Sequence, residues 1–310
     1  MRLLLTDSRT LMRMSNNHEF DPFAGIEDEQ DAGPDGARAG LLEAARRGYV
    51  PLRKAFVQRP QDSAPVAGRP SARASVLYDL VHRRNQRALD VFLLMHALQP
   101  ILDGTPLLLG TWANILSVKS RVDATAVSRA IETLEDLHLV VREDDSRTPT
   151  LRLLLEDGSG KPWHKPGSTV EEGPGYFVIP HDYWTRGLSE RLSLPGKAML
   201  LILLSETQNP KTPAFAMAVE RASEWYGISE RTAERGYQEI GKAGFMKVKV
   251  QKVNDDRHPV GRRDVYWRAL KSPFDTMTRQ RLQGSATKAA RAAGSAAAAT
   301  SVAVQLQPTT

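Results

Sequence analysis

Between Ser193 and Leu270 the signals for helix and strand follow one another in a fixed order, and that order limits the fold more than any other feature of this 310-residue chain. Ser193-Leu194-Pro195-Gly196-Lys197 opens a helix, with Ser193 as N-cap and Pro195 in the first turn. Ala198, Leu200, Leu201, Leu203 and Leu204 make it largely buried. After the Gln208-Asn209-Pro210 break the pattern predicts a second helix from Ala216 to Tyr226, with Val219, Ala222, Trp225 and Tyr226 inward. Gly227 turns the chain, and Ser229 caps a third helix to about Ala243, on which Ala233, Tyr237 and Ile240 share one face. Gly244 supplies the left-handed stop, with Phe245 behind it. A period-2 alternation then puts Lys247, Lys249 and Gln251 on one face of a strand and Met246, Val248 and Val250 on the other. Asn254 to Arg263 reads as a polar loop, and Asp264 to Leu270 as the returning strand. A short strand, Tyr176 to Ile179, precedes the whole series.

The same plan occurs earlier in the chain. Asn85 to Leu98 is a predicted helix with Ala88, Leu89, Phe92, Leu93, His96 and Ala97 on its apolar stripe. Thr111 is read as the cap of a short helix, Trp112 to Leu116, and Asp123 as the cap of another that turns Val127, Ala130, Ile131 and Leu134 inward. The hairpin strands are Leu139–Glu143 and Thr150–Leu155. His138 stands where the later copy has Gly244, and histidine is among the non-glycine residues enriched at left-handed positions.

The two third helices align. Asp123-Ala124-Thr125-Ala126-Val127-Ser128-Arg129-Ala130-Ile131 and Ser229-Glu230-Arg231-Thr232-Ala233-Glu234-Arg235-Gly236-Tyr237 share a cap, an inward residue at +4, an arginine at +6, a small residue at +7 and an apolar one at +8. These segments resemble the helix-turn-helix of bacterial winged-helix regulators of the GntR and MarR type, a motif-level resemblance over about 25 residues in each copy. The first copy departs from that pattern in its stretched turn, Ser117 to Val122. Tandem winged helices also resemble, in architecture, plasmid replication initiators that bind repeated origin sites. The fold class expected is mainly α with small β-hairpins, an α+β chain. Its parts would be a mostly disordered region 1–72, winged-helix domains at 73–156 and 174–271 with a linker 157–173, and a low-complexity tail 272–310. Within the first part, Gly40 to Val57 is the exception, a short amphipathic helix or two that would dock on a partner or on the folded part.

The resemblance implies double-stranded DNA as partner, with base edges read by the first two turns of the third helix. In the later copy Glu230, Arg231, Thr232 and Arg235 point outward there, and Arg231 and Arg235 share a face at i, i+4. Ser229 and the hairpin side chains Lys247, Lys249, Arg257, Arg262 and Arg263 are the expected phosphate contacts. From Met246 to Lys271 eight basic residues stand against three acids, an excess of five in a chain whose net charge is only +6. The first copy's hairpin loop is slightly acidic, so Lys119, Arg121, Thr125, Ser128 and Arg129 are read as a secondary DNA contact or a self-association surface, and a homodimer is one expected assembly. The leading reading is a sequence-specific DNA-binding transcriptional regulator, cytoplasmic and on the nucleoid. The alternative is a replication initiator of plasmid or phage type.

Other chemistry finds little support. No cysteine is present, which excludes disulfides, thiolate metal sites and a thiol nucleophile. No apolar run approaches the roughly 20 residues of a membrane span, and Met1 to Asp7 breaks off too soon for a signal peptide. Gly158-Ser159-Gly160-Lys161 lacks both the leading glycine and the Ser/Thr of a phosphate loop. The seven histidines form no i, i+4 pair, and His96 reads as a satisfied core residue rather than a ligand. No nucleophile–base pair can be named, so the chain is read as a non-enzyme without metal or cofactor. Arg279, Arg281, Lys288 and Arg291 in the tail are read as solvated, with weak phosphate contact as the sharper option.

Overall fold

A computed structural model describes residues 31–102, 106–143, 148, 150–167 and 175–305. In chain order its first elements are α1 (Gly33–Ala44), β1 (Tyr49–Arg53), α2 (Val76–His82), α3 (Gln86–Leu102), α4 (Leu109–Leu116), α5 (Ala124–Asp136), β2 (Val140–Arg142) and β3 (Leu151–Leu153). Then follow β4 (Tyr176–Pro180), α6 (Asp182–Thr185), α7 (Leu188–Arg191), α8 (Leu194–Glu206), β5 (Phe215–Ala216) and α9 (Arg221–Tyr226). The last are α10 (Glu230–Lys242), β6 (Met246–Asn254), β7 (Arg262–Leu270) and α11 (Thr276–Gln305). The described chain thus mixes helices with small antiparallel sheets, β1–β4, β2–β3 and β5–β7–β6, helix being the larger share.

Helices α3 and α8 lie at the centre because they are apolar on every side. Residues Ala88 to Leu98 of α3 are buried apart from Asp90, and so are all of Gly196 to Ser205 in α8. One charged pair joins them. Lys197 of α8 is 1% exposed and donates to Asp90 of α3. Burial pushes the Asp90 carboxyl up, and the ammonium beside it pulls the other way. The core around these helices is continuous from Leu42 to Phe274, so the segments 73–156 and 174–271 share it, and the chain from Gly33 onward forms one compact unit.

Three expectations need correction. From Gly33 to residue 72 the chain is ordered rather than disordered, and Gly40 to Val57 docks on the folded part as expected, but through the end of α1, β1 and a 3-10 turn at Lys54–Phe56 rather than a helix or two. Leu42, Val50, Leu52, Phe56 and Val57 are all buried, and β1 pairs with β4 in the register Val50↔Ile179. A strand whose partner lies some 130 residues away leaves no local trace in the sequence. The segment read as a linker starts as a fixed turn. Glu156 is fully buried, accepts from Arg53 at 2.8 Å and from the Trp163 indole at 3.2 Å, and Arg53 also donates to the His164 carbonyl. Residues 168–173 of that segment lie outside the described residues, as do Glu27 to Glu29 of the acidic patch and the first hairpin's loop at 144–147. The predicted helix from Ala216 begins only at Arg221, because Phe215 and Ala216 pair with Arg268 and Trp267 of β7.

His96 is in the core but is not satisfied there. It is 1% exposed, wedged between the rings of Phe92 and Trp163, and neither ring nitrogen has a hydrogen-bond partner. Burial first, then the Arg53 and Arg47 charges, push its pKa down to about 3. The folded state therefore refuses a proton that the unfolded chain binds near pH 6.5. Stability from this residue is complete above that pH and declines as pH falls toward 3. His96→Leu should raise stability at pH 7 by about 1–2 kcal/mol, since no buried polar atom is left without a partner. Between pH 7 and pH 5 the variant should lose about 2 kcal/mol less than the parent. Urea unfolding at the two pH values reads both effects, and a parallel acid loss in parent and variant would show that His96 is not the titrating group.

Candidate nucleic-acid interface

The element order from α8 onward is helix, edge strand, helix, turn, helix, hairpin. Helix α10 is strongly amphipathic: Ala233, Gly236, Tyr237 and Ile240 are buried, while Glu230, Arg231, Glu234, Arg235 and Gln238 face solvent. Its start is fixed as expected, by Ser229 Oγ accepting from the Thr232 amide at 3.3 Å. The same oxygen lies 2.8 Å from Thr232 Oγ1, which half-buries that threonine. Gly227 takes the turn at φ +72° with Ala74 and Tyr78 packed against it, so no side chain fits there. Helix α10 is held onto α8 by Glu239. Ser193 donates to this carboxylate through its amide at 2.8 Å and its hydroxyl at 2.6 Å, and Arg235 adds a third bond at 2.9 Å. Burial would raise its pKa, but the bonds from Ser193 and Arg235 outweigh this and hold it below the ordinary range.

The hairpin β6–β7 projects beyond the core. Nine residues per strand reach roughly 30 Å, more than the underlying helices cover. With that length the apolar face of β6 is also in solvent: Val248 and Val250 are 52% and 47% exposed. Opposite Val250 stands Tyr266, also exposed, and on the other face Lys249 stands opposite Trp267. The Trp267 indole donates to Gln251 Oε1 at 2.7 Å, and the tryptophan lines one surface depression with Lys247 and Lys249. Sequence reasoning passed over both aromatics; the signal was the strand length itself. Lys247, Lys249, Arg257 and Arg262 are exposed, and Arg263 is exposed with an ion pair to Asp255 at 3.2 Å. Arg268, one of the eight basic residues of this segment, is withdrawn. It is buried, donates to the Met217 carbonyl at 3.0 Å, and its guanidinium lies 3.8 Å from the Tyr237 ring centre. It thereby locks the base of the hairpin to α10.

The structure brings Ser229, Glu230, Arg231, Thr232 and Arg235 together on one outward surface. Among the described residues Arg231 makes no side-chain bond, whereas Arg235 is tied to Glu239. The earlier set is divided. Arg121 and Thr125 are exposed at the start of α5, and Ser128 is half-buried with a bond to Glu132. Lys119 and Arg129 instead line a cleft against α3 and α7. Asp123 caps α5 by accepting from the Ala126 amide at 2.7 Å.

Among the described residues no group of three or more His, Cys, Asp or Glu side chains is arranged to hold a metal ion, and no helix is long and apolar enough to cross a membrane. Comparison with family models, with curated proteins and with solved structures finds no match to this chain.

Proposed function

We propose that the protein binds double-stranded DNA in a sequence-specific way, as a winged-helix transcriptional regulator rather than an enzyme. One observation carries the reading: the exposed polar face of α10 stands beside a projecting hairpin that holds Lys247, Lys249, Arg257 and Arg262 in solvent. A helix of this kind enters a major groove, where Arg231 pairs with guanine O6 and N7 and Glu230 accepts from cytosine N4. The hairpin neutralises phosphates alongside. Arg268 on Tyr237 fixes the angle between reader and clamp.

Selection of bound duplexes from a random pool by the full-length chain tests the proposal. An enriched motif is expected, and no enrichment would overturn it. An inverted repeat fits a dimeric regulator, whereas a direct repeat fits a replication initiator. On the selected site, Arg231→Ala should cost roughly 1–3 kcal/mol of discrimination at one base pair. Neutralising Lys247, Lys249 and Arg262 together should weaken all sequences alike and flatten the salt dependence. Equal losses on every sequence for Arg231→Ala, or an unchanged salt slope for the triple variant, would remove those residues from the assigned roles.

A further inference from the structure

A cleft of about 480 Å³, lined by no residue of α10 or the β6–β7 hairpin, lies between the start of α3, the α4–α5 turn, α5 and α7. This size falls within the range of small-molecule sites. Its charge is one-sided. Arg84 precedes α3, Arg87 lies in its first turn, Lys119 comes from the turn and Arg129 from α5. The two acids in the wall are already occupied. Asp90 is paired with Lys197, and Glu190 with Arg38, which is 3% exposed and also reaches Asp35. Among the described residues Lys119 donates only to the Glu190 backbone carbonyl, and Arg84 and Arg129 are exposed and make no ion pair. Four cations therefore line one concavity whose two carboxylates each carry a cation partner, Glu190 through Oε1 while its Oε2 is buried without a hydrogen bond.

Helix α3 adds to this. Gln86, Arg87 and Ala88, its first three residues, line the cleft, so the positive end of the helix lies at the same space, although the Gln86 amide is already taken by the Arg84 carbonyl at 3.0 Å. Leu116, Ala126, Ala130 and Trp184 supply an apolar wall beside the charges. We infer that this cleft binds a small polyphosphate anion, of the class of a nucleoside triphosphate, between α3 and α5 on one side and α7 on the other. Phosphate oxygens take the arginine and lysine donors, and an organic body lies on the apolar wall.

Calorimetric titration of the full chain with inorganic triphosphate, without DNA, tests the site at about 0.15 M salt. One equivalent should bind. Arg84→Ala with Arg129→Ala removes two exposed side chains and should weaken binding at least tenfold, while Lys247→Ala with Lys249→Ala should leave it unchanged. Repeating the titration with a saturating duplex should give the same affinity. The inference is overturned if no saturable binding occurs, if the Arg84/Arg129 variant binds as the parent does, or if the hairpin variant is the one that loses affinity. Displacement by duplex would overturn it too, since the phosphate would then be that of the DNA backbone. None of these readings depends on sequence-specific DNA binding, so the two proposals fail separately.

Discussion

Replacing Arg279 by alanine should destabilise the protein by about 3–4 kcal/mol and lower its melting temperature by roughly 10 °C. The tail reading placed this arginine in solvent, yet it is fully buried. Its guanidinium closes the end of α8, donating to the Leu204 carbonyl at 2.8 Å, the Thr207 carbonyl at 2.7 Å and Thr207 Oγ1 at 2.9 Å. A further bond runs back to the Phe274 carbonyl at 2.9 Å. The last carbonyls of a helix have no partner within it, and here a cation at the negative end supplies them. Burial alone pulls the Arg279 pKa down, to about 10, so the group is still charged at neutral pH. Removing it strands several buried acceptors at once, and each costs about 1–3 kcal/mol when water cannot reach it. Arg279→Lys keeps the charge but not the fork, and should recover less than half of the loss. Thermal unfolding followed by circular dichroism decides the matter: a loss below about 1 kcal/mol for the alanine variant would mean that α11 is not docked through this residue.

Arg279 also shows why parts of this fold were illegible in the sequence. The features that were read correctly are local. Asp123 and Ser229 cap their helices through amides three residues on, and Gly244 and His138 take the left-handed positions at φ +85° and +55°. Caps and stops depend on chemistry within four or five residues, so composition at one point suffices. What was missed depends on distant partners. The order of Gly33 to residue 72 rests on β1 finding β4, and the burial of Arg268 and Arg279 rests on carbonyls of Met217, Leu204 and Thr207 far along the chain. An arginine in a polar segment carries no mark of whether it will meet a phosphate or a helix end. The candidate interface was more legible than the fold around it, because α10 exposes whatever its apolar stripe does not bury. The cleft that gathers Arg84, Arg87, Lys119 and Arg129 was not, since those residues come from three separate elements.

Gly236→Ala should be the most damaging single methyl group in the proposed reader helix, although alanine is the better helix former by about 1 kcal/mol. A Cβ at Gly236 would lie 2.4 Å from the Pro195 carbonyl oxygen and 2.4 Å from Met199 Cγ. Met199 can change rotamer, but the Pro195 oxygen belongs to the backbone of α8, and the two helices must part for the methyl group to fit. Overpacking of this kind costs about 1–3 kcal/mol, and here it acts against backbone, at the upper end of that range. Parting α8 from α10 also strains the Ser193–Glu239 bonds and shifts Arg231 and Arg235 relative to the hairpin. Affinity for the selected duplex should therefore fall at least tenfold, beyond what the unfolded fraction explains. Gly241→Ala is the matched control on the same helix. Its Cβ would meet only Met246 Cε, at 3.7 Å, so the propensity gain stands alone and stability should rise by about 0.5–1 kcal/mol. Opposite signs for the two glycines, in urea unfolding and in duplex binding, would tie recognition to the close approach of α10 and α8. Equal effects would mean that helix propensity alone governs both positions and that the reader helix is not seated by Gly236.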